Sequence, residues 1–213
     1  MAGMASVFAR FLYTTGQFFG LIFRLNLAAF FKKVCNTIYS GWLSGQLTAT
    51  GRISVESPAV IIGGQYITIG KGFSSRANLR IEAYDHFEGI SYTPSVSIGD
   101  NVCFNFDCHL GCIDHITIKD NVLIGSRVLI IDHAHGKADR QALQLPPSLR
   151  ALDSKGPVII EENVWIGEGV AILPNVTIGA HSIIGANAVV TKNVPPNSVV
   201  TGTAARVYKT IDQ

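Results

Sequence analysis

Charge and cysteine are both scarce in this chain, and each shortage argues against a class of protein. Charged residues make up 15% of the 213 residues and leave a formal net charge of +2. The chain therefore lacks the domain-wide basic surface of a nucleic-acid binder. The four cysteines form no CxxC pair and no regular framework. This spacing favours buried free thiols in a reducing compartment over disulfides or a zinc site.

Acidic residues are missing from the first 45 residues. No Asp or Glu precedes Glu56, seven of the eleven phenylalanines lie here, and the apolar stretches are interrupted by Arg10, Arg24, Lys32 and Lys33. The 13 residues between the two arginines fall short of the ~20 that a transmembrane helix needs, and no small-residue cleavage site ends the apolar region. Residues 1–45 are predicted to form one or two helices that lie on a membrane surface or pack against a neighbouring subunit.

From Ile160 onward, an aliphatic residue recurs every six positions. The series is Ile160, Ile166, Ile172, Ile178, Ile184 and Val190, and a small or β-branched residue stands four places after each. A helix has a period of 3.6 residues and a lone strand a period of two, so a strict period of six fits neither. It predicts a solenoid in which each hexad supplies one short strand and one bend, with coils stacked in parallel about 4.8 Å apart.

The same period is present earlier in the chain, with interruptions. It runs through Ile69, Ser75 and Ile81, then Ile98, Phe104 and Leu110, then, after a slip of two residues, Ile118, Ile124 and Ile130. Residues 84–96 and 136–157 break the period and are polar and proline-bearing. They are predicted to be loops extruded from the solenoid, and loops of such length are often functional. Residues 46–213 are thus predicted to form one solenoid domain.

Residues 160–209 carry a more specific signature. They contain Trp-Ile-Gly at 165–167, Val-Thr-Lys at 190–192 and Pro-Pro-Asn at 195–197. In this order, the elements closely resemble the C-terminal coils of hexapeptide-repeat O-acetyltransferases, which include the galactoside, maltose and nodulation-factor acetyltransferases and polysaccharide-modifying relatives. The resemblance implies a mainly β fold, a left-handed parallel β-helix, and a homotrimer with active sites between subunits. It also implies transfer of an acetyl group from acetyl-CoA to a sugar hydroxyl, with no metal required.

The resemblance also nominates the reacting groups. Aligned without a gap, the segment DNVLIGSRVLIIDHAHG places His135 on the family's catalytic histidine, with His133 two residues away as the alternative. The same register places Asn105 on an asparagine that orients the acceptor. Histidine is the natural general base for removing a hydroxyl proton at neutral pH. Asp132 is a candidate for orienting either imidazole.

Coenzyme-binding residues are implied near the C-terminal end. Trp165 and Ala186 match positions beside the acceptor or the pantetheine arm. The positions near the nucleotide and its phosphates are matched by Thr191, Lys192, Arg206 and Lys209, and cations suit phosphate groups. Two positions depart from the family pattern: Glu168 stands where the sugar acetyltransferases often have serine, and Ala204 stands where they have proline.

Two other functions stay open at this point. Hexapeptide solenoids also include gamma-type carbonic anhydrases, in which three histidines bind zinc, and the candidate ligands here are His109, His115, His133 and His135. That pattern lacks the Trp-Ile-Gly and Val-Thr-Lys elements, so the acetyltransferase is favoured. The third possibility is a catalytically silent scaffold.

The location and the acceptor follow from the same features. A cytoplasmic protein is expected, because the reaction uses cytoplasmic acetyl-CoA. Its N-terminal segment is expected on the inner face of the cytoplasmic membrane or against another subunit. The expected acceptor is a sugar in a surface polysaccharide or a lipid-linked glycan.

Overall fold

The computed structural model describes residues 2–22, 25–137, 139, 142–204 and 206–210. Arg24 and the side chain of Lys209 lie outside this description. The chain divides into two compact units, Met1–Ile38 and Tyr39–Gln213.

The first unit is helical. Helix α1 spans Ala2–Ile22, and helix α2 spans Leu25–Ser44, so that its last turns belong to the second unit. Among the residues of this unit that the structure describes, six phenylalanine side chains are each more than half exposed: Phe8, Phe11, Phe18, Phe19, Phe30 and Phe31. Among the described residues, no helix is long and apolar enough to cross a membrane.

The second unit is built on three sheets of short strands. Sheet A contains β1 (Thr48–Ala49), β4 (Ile67–Ile69), β9 (Ser95–Ile98), β12 (His115–Ile118), β17 (Val158–Ile160) and β20 (Val176–Ile178). Sheet B contains β2 (Ser54–Val55), β5 (Ser74–Ser75), β10 (Cys103–Phe104), β13 (Leu123–Ile124), β18 (Trp165–Ile166), β21 (Ile183–Ile184), β23 (Ser198–Thr201) and β24 (Arg206–Thr210). Sheet C contains β3 (Ala59–Ile62), β6 (Leu79–Ala83), β11 (His109–Cys112), β14 (Leu129–Ile131), β19 (Ala171–Ile172) and β22 (Val189–Val190).

The chain visits the three sheets in turn, and each round makes one coil. Within the sheets, each strand pairs in parallel with the strands of the coils above and below it. The exception is the C-terminal β24, which runs antiparallel to β23. Two antiparallel hairpins stand apart from the sheets, β7 (His86–Phe87) with β8 (Ile90–Ser91) and β15 (His133–His135) with β16 (Leu152–Ser154). The predicted solenoid is confirmed.

The hexad explains this geometry residue by residue. The six aliphatic side chains of the C-terminal series are each at most 1% exposed and fill the centre of the coils. The corners carry asparagines in the left-handed backbone region, such as Asn121, Asn163 and Asn187 with φ near 58°, a conformation that asparagine tolerates better than most residues. Gly167 has to be glycine because an added Cβ would lie 2.7 Å from the Ala186 nitrogen of the next coil.

The end of α2 covers the first coil. Leu43 is buried in the core. The Tyr39 hydroxyl donates a hydrogen bond to the Ala59 carbonyl (3.1 Å) and accepts one from the Ala59 N–H (3.0 Å). The Ser40 hydroxyl pairs with Val55 in the same way, at 3.2 and 2.8 Å. Tyr39 and Ser40 thus satisfy strand backbone groups that no earlier coil can reach.

The four cysteines are free thiols. Cys108 and Cys112 are buried as predicted, and burial raises the pKa of both thiols. The prediction of burial is wrong for Cys35, which lies exposed on α2, and for the half-buried Cys103. Cys103 precedes the inward-facing Phe104 in a two-residue strand, so its own side chain points outward.

Candidate active site

Both extruded loops leave the solenoid at the same corner, between the end of a sheet C strand and the start of a sheet A strand. The first loop, residues 84–94, connects β6 to β9 and carries the hairpin β7–β8. The second loop, residues 132–157, connects β14 to β17 and carries the hairpin β15–β16. Only β11 separates β6 from β14 in sheet C, so the loops emerge roughly 10 Å apart.

The two loops hold each other in place. The Tyr92 hydroxyl of the first loop donates a hydrogen bond to the Leu152 carbonyl of the second loop (3.1 Å) and accepts one from the Leu152 N–H (3.0 Å). Leu152 is the strand partner of His135. The ring of Phe87 meets the imidazole of His135 edge to face, with centroids 5.6 Å apart. The first loop therefore contacts both the predicted base and the residue opposite it.

Asp132 is a fully buried carboxylate at this corner. It accepts hydrogen bonds from the backbone N–H groups of Ile113 (3.0 Å) and Asp114 (2.8 Å) and from Nδ1 of His133 (2.9 Å). Burial raises the pKa of Asp132, but these hydrogen bonds outweigh it and hold the pKa below its ordinary value. The carboxylate is therefore ionised at neutral pH, and its orienting contact goes to His133.

The two histidines of β15 differ in their surroundings. The His133 side chain is largely buried, and its Nε2 has no hydrogen-bond partner among the described residues. The His135 side chain is exposed and contacts the ring of Phe87. His133 is thus held in one orientation by its own chain, whereas His135 is presented at the surface.

A polar cluster that the sequence reasoning missed lies on the outer face of sheet C. Glu82 on β6 is buried and accepts hydrogen bonds from Arg80 (2.9 Å) and from Nε2 of His109 on β11 (2.9 Å). Burial raises the pKa of Glu82, but the hydrogen bonds and charges of both partners bring it below the ordinary value. Burial and the charge of Arg80 lower the pKa of His109.

These directions describe an ionised Glu82 and a neutral His109. The available signal was the alternation Leu79-Arg80-Ile81-Glu82-Ala83, which places Arg80 and Glu82 on the outer face of one strand. From the sequence, His109 was expected only as a candidate zinc ligand.

The structure places two other predicted residues, Asn105 and Ala186, at a different corner, between sheets B and C. Asn105 follows β10 there, and its side-chain amide donates a hydrogen bond to the Ile124 carbonyl (3.1 Å). Ala186 lies at the same corner three coils further along, after β21. Its N–H has no hydrogen-bond partner among the described residues. Trp165 lies on the outer face of sheet B, 53% exposed. The width of sheet C separates Asn105 and Ala186 from His133 and His135 in one chain, and Trp165 lies on another sheet.

The histidines considered as zinc ligands are engaged elsewhere. His109 pairs with Glu82, His133 with Asp132, and His115 with Asp114. Within the described ranges, no group of three or more His, Cys, Asp or Glu side chains is arranged to hold a metal ion.

Comparison with known proteins identifies the family. The profile of the bacterial transferase hexapeptide (six repeats) matches residues 157–192. A putative lipopolysaccharide biosynthesis O-acetyl transferase of Escherichia coli K12 is 34% identical over 159 residues, which cover 73% of this chain and 77% of that protein. The galactoside O-acetyltransferase of the same organism is 34% identical over 163 residues, 74% of this chain and 70% of the relative. This chain belongs to the hexapeptide-repeat acetyltransferases.

A solved structure agrees with this family assignment. A galactoside acetyltransferase in complex with coenzyme A is 28% identical, with a TM-score of 0.56 over 81% of this chain and 69% of that one. The predicted left-handed β-helix and the acyltransferase class are confirmed. The usual right-handed crossover rule for parallel strands does not hold in this family. Because the family is one of acetyltransferases, the carbonic-anhydrase and silent-scaffold hypotheses are set aside.

The C-terminal tail of this family member presents most of the predicted coenzyme residues to solvent. The side chains of Thr191, Lys192 and Arg206 are exposed. Glu168, which departs from the family pattern, forms an ion pair with Arg127 of the preceding coil. Ala204 has a φ of 60°, and proline cannot reach a positive φ because its ring holds φ near −65°. The backbone conformation at position 204 therefore excludes the proline that other family members have there.

Proposed function

We propose that this acetyltransferase transfers an acetyl group from acetyl-CoA to a hydroxyl of a sugar, in a surface polysaccharide or a lipid-linked glycan. The observation that carries the proposal is the 34% identity to two O-acetyltransferases, one named for lipopolysaccharide biosynthesis and one for galactosides. The loop corner with its histidines supports the same chemistry. Each relative is matched over at least 70% of its length.

His135 is the proposed general base. It takes the proton of the acceptor hydroxyl as the oxygen attacks the thioester carbonyl, and it returns the proton to the sulfur when the carbon–sulfur bond breaks. A positioned base of this kind contributes roughly 10²–10⁴-fold. The family register supports His135, and its exposed imidazole is open to an acceptor that approaches from outside.

His133 is the second candidate for the base, because Asp132 holds its Nδ1 at 2.9 Å. A carboxylate on Nδ1 fixes the tautomer of a catalytic imidazole and leaves Nε2 free to accept a proton. In the His135 assignment, the Asp132–His133 pair instead forms one wall of the site.

Single alanine variants decide between the two histidines. His135→Ala is expected to keep its fold and coenzyme binding and to lose at least about 100-fold in kcat, the low end of the range for a general base. His181→Asn is the matched control, because His181 is exposed at a corner with a φ of 60° that asparagine accepts. If His133→Ala is inactive while His135→Ala turns over normally, the roles are reversed. If both variants turn over normally, the base assignment is wrong.

The coenzyme is proposed to lie along the sheet B–C corner and the C-terminal tail. The unpaired Ala186 N–H suits an amide oxygen of the pantetheine arm, and Trp165 offers an exposed apolar face. Thr191, Lys192 and Arg206, with Lys209, are the groups proposed for the nucleotide and its phosphates, which bind cations through charge-assisted hydrogen bonds.

We propose that the enzyme is a homotrimer with sites shared between subunits. Asn105 and Ala186 lie at the corner between sheets B and C, Trp165 lies on sheet B, and the histidines lie at the corner between sheets C and A, so one chain cannot bring them together. Mixing inactive His135→Ala subunits with inactive Asn105→Ala subunits tests this arrangement. Random trimers that exchange subunits should regain activity at about a quarter of their sites, since each site needs one intact corner from each partner. A stable monomer in light scattering, or no recovery after verified exchange, contradicts it.

The N-terminal unit is proposed to bind the inner face of the cytoplasmic membrane, where a lipid-linked acceptor would be found. Its exposed phenylalanines suit insertion at the headgroup boundary. Its described cations are Arg10, Lys32 and Lys33, and the first 55 residues of the sequence contain no Asp or Glu, so the segment carries positive charge that suits anionic lipid.

Sedimentation with vesicles of phosphatidylcholine and phosphatidylserine tests the membrane proposal on the full-length chain. Binding should require the anionic lipid, weaken with salt, and fall in the Arg10→Glu/Lys33→Glu variant. The matched control is Lys71→Glu, which changes an exposed charge on the solenoid. If the wild-type protein ignores the vesicles, or the double variant dissociates the oligomer instead, the unit is a packing element between subunits.

A further inference from the structure

Two carboxylate–imidazole pairs converge on Gly111, in the middle strand between the two loop exits. Glu82 holds His109, and Asp132 holds His133, each at 2.9 Å. A Cβ added to Gly111 would lie 3.2 Å from Cε1 of His133 and 3.7 Å from Nε2 of His109. Both rings therefore border the space left by the missing side chain, which we call the Gly111 notch.

The rim of the Gly111 notch carries hydrogen-bonding atoms that the fold does not use. His109 gives its Nε2 hydrogen to Glu82, so its Nδ1 is left as an acceptor, and this atom has no partner among the described residues. The Arg80 guanidinium is half exposed while one of its nitrogens bonds both oxygens of Glu82. The Arg80 donors and Nδ1 of His109 are thus available for a ligand close to the Asp132–His133 pair.

The charge of this rim selects the kind of ligand. The positive charge of Arg80 is balanced by the buried carboxylate of Glu82, and the lowered pKa of His109 keeps its ring neutral at neutral pH. A carboxylate or phosphate ligand would face Glu82 and the lone pair of His109 without a net positive charge to hold it. A sugar hydroxyl can accept from the guanidinium and donate to Nδ1, so neutral hydroxyl groups fit the rim better.

We propose that Arg80, Glu82 and His109 form a hydroxyl-binding subsite for a neutral ring of the acceptor sugar, on the outer face of sheet C. The inference rests on the proposed function, because it presumes that the acceptor reaches the histidine pair. In this subsite, His109 and Arg80 contact the ring hydroxyls, and Glu82 positions both of them. The Gly111 notch gives the ring room to approach the strand.

Two variants and a matched control test the subsite in the full-length enzyme. His109→Asn removes the free imidazole nitrogen, and Arg80→Met keeps the length of an exposed side chain without its donors. His181→Asn makes the same substitution at a histidine far along the chain. The wild-type enzyme is first assayed with acetyl-CoA and methyl glycosides of galactose, glucose, mannose and rhamnose. Both subsite variants are expected to raise the acceptor KM about tenfold or more, the effect of losing about 1.4 kcal/mol of binding, while the KM for acetyl-CoA and the values of the control stay unchanged.

Several outcomes would overturn the subsite without touching the proposed function. An unchanged acceptor KM in both variants would do so, as would an equal rise in both KM values or dissociation of the oligomer in light scattering. If the wild-type enzyme acetylates none of the glycosides, the proposed function lacks its support. Saturation-transfer NMR with the same glycosides then decides the subsite separately. Binding by the wild type and by His181→Asn, but not by His109→Asn, supports it, and absence of binding by the wild type overturns it.

Discussion

Tyr92 and Leu152, 60 residues apart in the chain, are joined by two hydrogen bonds that share one phenol oxygen. The same arrangement joins Tyr39 to Ala59 at the N-terminal end of the solenoid, with the same two distances. One clamp ties the first extruded loop to the second, and the other ties the last turns of α2 to the first coil. The pair of clamps therefore allows stability and activity to be separated experimentally.

Tyr92→Phe should weaken both properties, whereas Tyr39→Phe should weaken only stability. Each substitution leaves a backbone N–H and carbonyl without their partner, which lowers the free energy of unfolding by about 1–3 kcal/mol. Only Tyr92 holds the strand opposite His135, so only its variant should lose transferase activity. Denaturant titration and steady-state kinetics measure the two effects. Equal activity in both variants would mean that the loop contact does not position the histidine.

Asp132→Asn should lower stability in a manner that depends on pH. The amide presents a donor to a pocket that already contains two backbone N–H groups, and the expected loss is about 1–3 kcal/mol at neutral pH. The folded-state pKa of wild-type Asp132 is depressed from the ordinary 3.8. Its contribution is therefore fully present above pH 3.8 and is lost as the pH falls through the lower folded-state value.

Chemical denaturation of wild type and Asp132→Asn between pH 2.5 and 7, at about half-unit intervals, measures this dependence. The difference in unfolding free energy should be constant near neutral pH and should shrink at the acid end. A difference that grows at acid pH would contradict the assignment of an ionised, hydrogen-bonded carboxylate.

Gly111→Ala should impair activity with little effect on stability. The new methyl group meets Cε1 of His133 at 3.2 Å and Cγ2 of Ile131 at 3.3 Å, so the imidazole has to move by a few tenths of an ångström. The backbone at this position is extended and accepts alanine, and the stiffer unfolded chain offsets the crowding to within about 1 kcal/mol. A small displacement of a reacting or positioning group lowers the rate at which bound substrates react.

Gly41→Ala is the control for that substitution, because an added Cβ there meets no atom within 4 Å. Thermal unfolding and turnover are measured for both variants. Full activity in Gly111→Ala would show that His133 tolerates displacement and stands outside the chemistry.

Lys192→Ala should raise the KM for acetyl-CoA and leave the acceptor KM unchanged. Its exposed cation follows β22 in the last full coil, where the coenzyme phosphates are proposed to bind. The effect should diminish as salt concentration rises, because salt screens exposed charges. The control is Lys71→Ala, which removes an exposed lysine near the first coils. A salt-independent change, or the same change in the control, would separate Lys192 from the coenzyme.

Much of the fold could be predicted because the hexad is a local signal. The six-residue spacing of Ile160, Ile166 and Ile172 predicts that all three side chains face inward, and the structure buries all three. The N-terminal helices could likewise be predicted, because their segments are apolar and basic and contain no Asp or Glu. The boundaries of the extruded loops were harder to predict. The second loop was predicted to begin at residue 136, but it begins at Asp132 and pairs His133–His135 with Leu152–Ser154 through β-strand hydrogen bonds.

The candidate site could also be predicted only in part. The types of residue and their positions on the family pattern came from the sequence, because His135, Asn105 and the tail lysines occur in a recognisable order. The partners of each group could not be predicted, because they are far apart in the chain. Asp132 accepts hydrogen bonds from the backbone N–H groups of Ile113 and Asp114, 19 and 18 residues away, and Glu82 contacts His109, 27 residues away. A period of six determines that coils stack, but the side chains that face each other outside the core depend on where loops interrupt the period. Only the tertiary structure decided that Asp132 serves His133 and that Gly111 opens a space between two imidazoles.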